Sequence, residues 1–282
     1  RIARPELGPD KVIARRAALE LAAGQTVALG FGVSALIPRV LLEEGQHGRV
    51  TFCIEQGAVG GVPAIDFQFG CSLNPSAIVD SPFQFDFFNG GGFDVAFLSF
   101  LQYDADGNVN VSLLPSRPHV TAGIGGFMDI TANARRLVFS GYYRAGGLKL
   151  ATRDGRLEIL EEGAHAKLVR AADQITFSGR RARERGADVT LITERGVFEQ
   201  QDDGLTLVEV APGIDPERDV VRLAELPIRI SPDLKPMDGR LFRPEPIGLR
   251  LGEDGDKGVT HFRSSGGLTL KRRPGGWYAG GP

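Results

Sequence analysis

Residues 26 to 61 decide the fold, and they read TVALGFGVSALIPRVLLEEGQHGRVTFCIEQGAVGG. Two short apolar runs, TVALGFG and RVTFCIE, flank the segment SALIPRVLLEEG, whose apolar residues recur at helical spacing. This order predicts two parallel strands joined by a helix, with Ser34 as the helix N-cap. A preceding helix is predicted over residues 10–24, DKVIARRAALELAAG, with Asp10 capping its start and Gly24 its end.

Further apolar runs continue the alternation along the chain, and they are rich in β-branched and aromatic residues. They read FDVAFLSF, NVNVS, RLVFSGYY, DVTLITERGVF and GLTLVEVAPG. The predicted fold class is therefore α/β, with a mainly parallel sheet flanked by helices. From about Pro244 the chain becomes Gly- and Pro-rich with little periodicity, so we predict one domain over residues 1–243 and an arm over residues 244–282.

Composition and charge narrow the class of protein. The 282 residues include 33 Lys and Arg against 35 Asp and Glu, so no global field favours nucleic acid or a membrane surface. The two cysteines and four histidines form no metal or disulfide pattern, which is typical of a reducing cytoplasm. No apolar run approaches the ~18 residues of a membrane span. A start without Met suggests a processed piece or a trimmed subunit.

Glu55 is the first candidate for chemistry. It ends a buried strand, where a carboxylate is expensive to desolvate, and Gly57, Gly60 and Gly61 follow it at once. Packing alone does not explain such a residue. The 38 glycines of the chain also cluster, as expected for tight turns between strands or for backbone segments converging on one ligand.

The first glycine turn allows a cofactor hypothesis. Residues 30–35, GFGVSA, have the outline G-x-G-x-x-A of a dinucleotide fingerprint, and Glu55 supplies an acid at the end of the next strand. A tight first β-α turn beside a shared crevice explains the same pattern without a cofactor. We favour that interpretation because a lone match of this kind has low specificity.

A second glycine turn, TAGIGGFMDI at residues 121–130, complements Glu55. Gly123, Gly125 and Gly126 precede a helix predicted to start near Asp129, so free backbone N–H groups can stabilise an oxyanion there. A carboxylate beside such a turn suggests covalent chemistry, in which an acyl group forms a mixed anhydride on Glu55. Water must then be excluded, because the intermediate hydrolyses if it is exposed.

These motifs resemble the β half of the family I coenzyme A (CoA) transferases. The resemblance rests on VALGFGVSA, CIEQGAVGG, QFDFFNGGGFDVAFLSFLQYDADGNVNVS and GIGGFMDIT, continues through RLVFSGYYRAGGLKL to MDGRLF, and covers roughly residues 8–243. It is strongest toward short-chain acyl enzymes whose α and β halves are fused. It implies the fold of that β domain, the NagB/RpiA/CoA-transferase-like fold, over residues 1–243.

The resemblance also implies a mechanism and a site. Glu55 matches the nucleophilic glutamate of an E-x-G-x-x-G-G motif, and residues 123–126 match a G-x-G-G motif whose backbone N–H serves the oxyanion hole. CoA would pass between carboxylic acids in a ping-pong reaction through a glutamyl-CoA thioester. CoA and acyl-CoA are then substrates, with no permanently bound cofactor and no metal. The expected catalytic residues are Glu55, Gly125 and Gly126, and the expected binding residues are Gly30, Gly32, Gly57, Gly60, Gly61 and Gly123.

Two departures from the family pattern concern the acyl pocket and the partner. Gln56 replaces the Asn that is frequent after the glutamate. No second copy of the fold is found, although the family active site lies between a β half and an α half. We therefore expect an α subunit or N-terminal half as partner, in a hetero-oligomer such as α2β2. The stretch DSPFQFDFFNGGGF at residues 80–93, with five Phe, is the predicted contact surface.

Two other functions remain open at this point. A relative can use the same cleft to hydrolyse an acyl-CoA or a carbon–carbon bond, and a catalytically silent binding module can share the fold. Among lesser candidates, Cys53 is expected to be a small buried hydrophobe and His119 a surface or supporting residue. The run RRARERG at residues 180–186 is expected to be a solvated helix face, with arginines that could meet CoA phosphates.

Overall fold

The computed structural model describes residues 2–114, 117–121, 123–252, 262–263, 269–273 and 276–280. Its α-helices are α1 (Pro9–Ala18), α2 (Ile37–Glu43), α3 (Ser81–Asn89), α4 (Phe127–Asn133) and α5 (Gly179–Glu184). Short 3-10 segments cover Val33–Leu36, His47–Arg49, Asp66–Gln68, Val221–Leu223 and Gly239–Phe242, and a π-helical turn covers Pro216–Val220. None of the helices in these ranges has the length and apolar character needed to span a bilayer.

The strands fall into one large sheet and several small ones. The first twelve are β1 (Thr26–Leu29), β2 (Thr51–Cys53), β3 (Ala58–Val59), β4 (Val62–Pro63), β5 (Ser72–Leu73), β6 (Ala77–Ile78), β7 (Val95–Ser99), β8 (Gln102–Asp104), β9 (Val109–Asn110), β10 (Leu113–Leu114), β11 (Arg117–Thr121) and β12 (Arg136–Ser140). The others are β13 (Arg144–Ala145), β14 (Lys149–Arg153), β15 (Arg156–Glu161), β16 (His165–Ala166), β17 (Leu168–Val169), β18 (Asp188–Ile192), β19 (Gly196–Gln201), β20 (Gly204–Val210), β21 (Ile228–Pro236), β22 (Phe262–Arg263), β23 (Thr269–Arg273) and β24 (Gly276–Gly280).

The large sheet has ten strands in the order β21-β20-β19-β18-β12-β7-β1-β2-β3-β6. Its centre, from β18 to β2, is parallel, and antiparallel hairpins extend it on both sides. The predicted α/β class with a mainly parallel sheet is thus confirmed. In parallel strands all carboxyl ends lie at one edge, here called the carboxyl edge, where ligands bind in open α/β sheets.

The central strands are short apolar runs because both of their faces are covered. Val27, Ala28 and Leu29 of β1 are at most 1% exposed. Strands buried on both faces lose the alternation of a half-exposed strand and read as continuous apolar runs. The predicted β-α-β order over residues 26–61 is therefore found, and it sets β1 and β2 side by side, with Ala28 opposite Cys53.

Three predicted helix ends differ in the structure. Asp10 does not cap α1: the helix begins at Pro9 with Gly8 as its N-cap, and Asp10 lies in the first turn. Ser34 is not an N-cap: it lies in the 3-10 segment Val33–Leu36, and its hydroxyl is 2.7 Å from that of Ser140. The buried Ser34 hydroxyl is hydrogen-bonded to Ser140 on β12, and helix α2 begins only at Ile37. Helix α1 ends at Ala18, earlier than the predicted Gly24, and the N–H groups of residues 22–24 donate to the Gln25 side chain and to the carbonyls of Gly252 and Arg49.

The segment after residue 243 packs on the domain up to Gly252. Three main-chain N–H groups, those of Ile247, Gly248 and Leu249, donate to the carboxylate of Glu44. Ile247, Leu249 and Leu251 are each 5% exposed and belong to the hydrophobic core. The domain boundary at residue 243 remains a prediction, and part of the predicted arm lies outside the described residues.

Candidate active site

Glu55 stands at the tip of a tight turn between β2 and β3, on the carboxyl edge. The Ile54 N–H donates to the Ala58 carbonyl at 3.0 Å, and the Gly57 N–H donates to the Ile54 carbonyl at 2.9 Å. Gly57 has φ +105°, and a Cβ there would lie 1.9 Å from the Val79 carbonyl oxygen. A side chain at position 57 would collide with this carbonyl, so the turn that carries Glu55 requires glycine there.

The Glu55 carboxylate accepts a short main-chain hydrogen bond. The Gly126 N–H donates to Oε2 at 2.6 Å, across 71 residues of sequence. The Gln56 side-chain amide lies close to the other oxygen, with Nε2 3.3 Å from Oε1. The two carboxylate oxygens therefore differ, since Oε2 accepts from a main-chain N–H at 2.6 Å and Oε1 lies 3.3 Å from the amide of an exposed side chain.

The turn that contacts Glu55 has room for glycine only. A Cβ on Gly125, whose φ is +51°, would lie 2.5 Å from Glu55 Oε1. A Cβ on Gly126 would lie 2.7 Å from Glu55 Oε2 and 2.6 Å from the ring of Phe85. These separations are shorter than van der Waals contact distances. The carboxylate can therefore lie this close to the turn because neither residue has a side chain. The predicted proximity of Glu55 to Gly125 and Gly126 is found.

Five of the six glycines expected to bind substrate have close packing partners within the chain. A Cβ on Gly60 would lie 2.6 Å from Ser76 Oγ, and one on Gly61 would lie 2.3 Å from the Leu73 carbonyl oxygen. Gly30 and Gly32 approach β7 in the same way, whereas Gly123 faces open space. A structural reason therefore exists for the glycines at 30, 32, 57, 60 and 61. Their role in binding remains a prediction.

The lesser candidates lie away from the chemistry or are chemically silent. Cys53 is 1% exposed, and burial raises the pKa of its thiol to about 11, so it stays protonated at neutral pH. His119 is exposed on β11. On α5 and just after it, Arg183 and Arg185 donate to main-chain carbonyls.

Exposed apolar side chains lie on the elements around Glu55. Phe31 in the turn after β1 is 63% exposed, Phe83 on α3 is 65% exposed, and Met128 on α4 is 52% exposed. Phe88 and Phe93 of the predicted contact stretch are instead buried. Exposed apolar side chains are therefore found on three of the elements next to the Glu55 turn.

Sequence reasoning missed a cavity of about 910 Å³ further along the carboxyl edge. It lies where β7 and β12 end, and its lining includes Leu101, Tyr142, Gly147 and Lys167. The Lys167 ammonium lies 4.0 Å from the centroid of the Phe100 ring. Burial lowers its pKa to about 8, against an opposing influence of Glu194. The glycine pair in RAGGLKL was the only sequence signal.

An open α/β sheet with a glutamate on its carboxyl edge, bonded to the N–H of a G-x-G-G turn, is the arrangement expected for the β-type half of a CoA-transferase. No family model matches the chain. Among known proteins, acetate CoA-transferase YdiF of Escherichia coli K12 is 42% identical over 247 residues, which are 88% of this chain and 46% of that protein. Caffeate CoA-transferase of Acetobacterium woodii is 40% identical over 85% of this chain and 46% of its own length.

A separate β subunit and a solved structure are also similar to this chain. Acetate CoA-transferase subunit beta of E. coli K12 is 27% identical over 72% of this chain and 86% of that subunit. The crystal structure of YdiF from E. coli O157:H7 superimposes with a TM-score of 0.83 at 41% identity, covering 89% of this chain and 47% of that one. This chain belongs to the family I CoA-transferases, as their β-type part. It spans about half the length of YdiF and of the caffeate enzyme.

Proposed function

We propose that this chain supplies the nucleophilic half of an enzyme that transfers CoA between an acyl-CoA and a carboxylic acid. The observation that carries the proposal is the 2.6 Å hydrogen bond from the Gly126 N–H to Glu55 Oε2. It joins a carboxylate to a main-chain donor whose position is set by the fold. Such a donor stabilises negative charge that develops on the same oxygen during covalent catalysis.

The difference between the two carboxylate oxygens suggests how the steps run. Oε1 attacks the acyl carbonyl carbon, and the C–S bond breaks to release CoA thiolate, which leaves a mixed anhydride on Glu55. The thiolate then attacks the glutamyl carbon, charge develops on Oε2 beside the Gly126 N–H, and the first acid leaves as its carboxylate. The resulting glutamyl-CoA thioester reacts with the second carboxylate by the same steps in reverse.

The relatives support transfer as the reaction class and leave the acyl group open. One is named for acetate and another for caffeate, at 42% and 40% identity to this chain. A further structure of YdiF, at 40% identity, is described as a thioester complex with CoA. Because two such different acids occur among equally similar proteins, we propose no particular acid. Cytoplasmic location also remains a prediction from cysteine usage.

The proposal is tested by trapping the intermediate. The chain, assembled with its α half, is incubated with an acyl-CoA and no acceptor acid, and its peptides are analysed by mass spectrometry. We expect a CoA adduct on the peptide that contains Glu55, and acetate should discharge it as acetyl-CoA. An adduct on another peptide, or turnover with no adduct, would refute the covalent mechanism. Steady release of free CoA without an acceptor would indicate a hydrolase instead.

We also propose that an α half covers the apolar surface around Glu55. An anhydride must be shielded from water, and the exposed Phe31, Phe83 and Met128 give the chain only one wall of such a site. The matched region is about half of YdiF, which fits a partner that is either a separate subunit or another part of a longer chain. A dimer of such pairs, α2β2, is the assembly we propose.

The partner proposal predicts loss of transfer in the isolated chain. Purified alone, it is expected to show no acyl exchange, and adding the α half should restore activity. Phe83→Ser should weaken that restoration, because it removes an exposed ring on α3, the helix whose Ser81 hydroxyl donates to the Glu55 carbonyl. Leu160→Ser, which changes an equally exposed residue on β15, serves as the control. An active, monodisperse monomer would contradict the prediction.

A further inference from the structure

The Gln56 side chain is exposed, yet it has a defined position beside one oxygen of Glu55. Its Nε2 atom lies 3.3 Å from Glu55 Oε1, and among the described residues no other donor is bonded to that oxygen. Glu55 Oε2 has its own donor, the Gly126 N–H at 2.6 Å. The two oxygens of one carboxylate therefore face two different donors, one from the main chain and one from a side chain.

Gly70 forms the surface on which the Gln56 side chain packs. A Cβ on Gly70, whose φ is +108°, would lie 3.1 Å from Gln56 Cγ and Cδ and 3.5 Å from the amide oxygen of Gln56. The amide nitrogen is the atom that faces Glu55. Electrostatics requires this orientation, because a carboxylate oxygen attracts an N–H donor and repels an amide oxygen. Packing and charge thus direct the same N–H group toward Glu55 Oε1.

The proposed transfer develops negative charge on two different oxygens. When Glu55 Oε1 attacks the acyl carbon, a C–O bond forms and the carbonyl electron pair moves to the acyl oxygen. This oxyanion collapses, the C–S bond breaks, and CoA leaves as its thiolate. When the thiolate attacks the glutamyl carbon, the charge develops on Oε2 instead. The Gly126 N–H is bonded to Oε2, so the oxyanion on the acyl group needs a different donor.

We propose that Gln56 is a catalytic residue whose side-chain N–H stabilises the oxyanion on the acyl group. The acyl oxygen is bonded to the carbon that Oε1 attacks, so the charge develops next to the oxygen that the amide already contacts. Formation of the C–O bond removes the negative charge from Oε1, and the N–H group then donates to the acyl oxygen. The assignment rests on the proposed function, because it requires Glu55 to act as the nucleophile.

The test uses hydroxylamine to separate the two oxyanions. Hydroxylamine attacks the glutamyl carbon of the thioester, CoA leaves as its thiolate, and a glutamyl hydroxamate remains, so the charge develops only on Oε2. Transfer to acetate also requires attack of the thiolate on the acetyl carbon of the anhydride, where the charge develops on the acetyl oxygen. The second step alone depends on the proposed donor, Gln56.

The enzyme, assembled with its α half, is loaded with an acyl-CoA, freed of excess substrate and mixed with hydroxylamine or with acetate. The thioester of Gln56→Met should react with hydroxylamine at the wild-type rate and transfer CoA to acetate roughly 10²-fold more slowly, the loss typical of one oxyanion donor. Gln56→Glu keeps the length of the side chain but has no N–H group, so it should lose at least as much. In steady state, kcat should fall while KM stays unchanged, because the bond forms only in the transition state.

The control is Gln68→Met, which changes an exposed glutamine whose side chain makes no hydrogen bond among the described residues. It should behave like wild type. Gln56 is not among the residues with a positive φ, so other side chains fit its place in the turn, and thermal melts check the fold of each variant.

Several outcomes would overturn the role of Gln56. These are transfer to acetate at the wild-type rate by folded Gln56→Met, an equal slowing of the hydroxylamine reaction, a raised KM with unchanged kcat, or an equal loss in Gln68→Met. A normal wild-type thioester combined with any of these rejects Gln56 alone and leaves the proposed function intact. Absence of a thioester from the active wild-type enzyme would refute the proposed function, and the role of Gln56 with it.

Discussion

Replacing Glu55 with glutamine is expected to lower acyl exchange by about 10⁴-fold or more, the range observed when a covalent nucleophile is removed. Glutamine has the same shape and keeps an oxygen that can accept the Gly126 N–H, so the turn should remain in place. It cannot attack an acyl carbonyl, because its amide carries no negative charge. The measurement is acetate-dependent exchange from another acyl-CoA, together with the mass of the Glu55 peptide.

Two further variants test whether the loss of acyl exchange is specific to the Glu55 carboxylate and its position. Glu55→Asp should also be severely impaired, because it retracts the carboxylate by about one methylene from the reacting carbon and from Gly126. Glu217→Gln, at an exposed position of the π-helical turn, should behave like wild type. Full exchange by a folded Glu55→Gln protein would exclude Glu55 as the nucleophile, and the glutamyl-CoA mechanism with it.

The second large reduction in acyl exchange is expected when Gly126 is replaced. Gly126→Ala places a methyl group 2.7 Å from Glu55 Oε2 and 2.6 Å from the Phe85 ring, so the carboxylate or the turn must move. The short hydrogen bond to Oε2 would then be lost or lengthened. Loss of one oxyanion donor typically costs roughly 10²-fold or more in turnover, and we expect at least that reduction in the maximal rate of exchange.

The matched control is Gly48→Ala. Gly48 has no atom within 4 Å of the position that a Cβ would occupy, and it lies in the 3-10 segment His47–Arg49. The same change of one methyl group should therefore leave both stability and exchange unchanged. Thermal melts of the two variants separate a catalytic defect from a folding defect. A stable Gly126→Ala protein with normal turnover would remove the G-x-G-G turn from the proposed mechanism.

The approach of Glu55 to the second glycine turn could be predicted from the sequence. Glu55 follows an apolar run typical of a buried strand, and the parallel β-α-β order puts the ends of such strands at one edge. The G-x-G-G motif at residues 123–126 matched the oxyanion turn of the family. The structure confirms this proximity, with the Gly126 N–H 2.6 Å from the carboxylate.

Local patterns did not predict groups whose partners are distant in sequence. Ser34 has the residue type and position of an N-cap, yet its hydroxyl is paired with Ser140, 106 residues away. Gly57, Gly60 and Gly61 follow a candidate nucleophile, which suggested ligand binding. In the structure each also faces residues 73–79, which approach too closely for a side chain. A glycine motif does not show whether the close neighbour that excludes a side chain is a ligand or another segment of the chain.

The sequence by itself therefore determined the α/β class, the family and the identity of the nucleophile candidate. These depend on periodicity, strand order and short motifs, all of which are read within a few tens of residues. Only the tertiary structure decided which oxygen of Glu55 receives the Gly126 N–H and that the Lys167 ammonium lies over the Phe100 ring beside a cavity. Both are set by the packing of segments far apart in the chain, and the burial and distance that govern a charge exist only after the chain has folded.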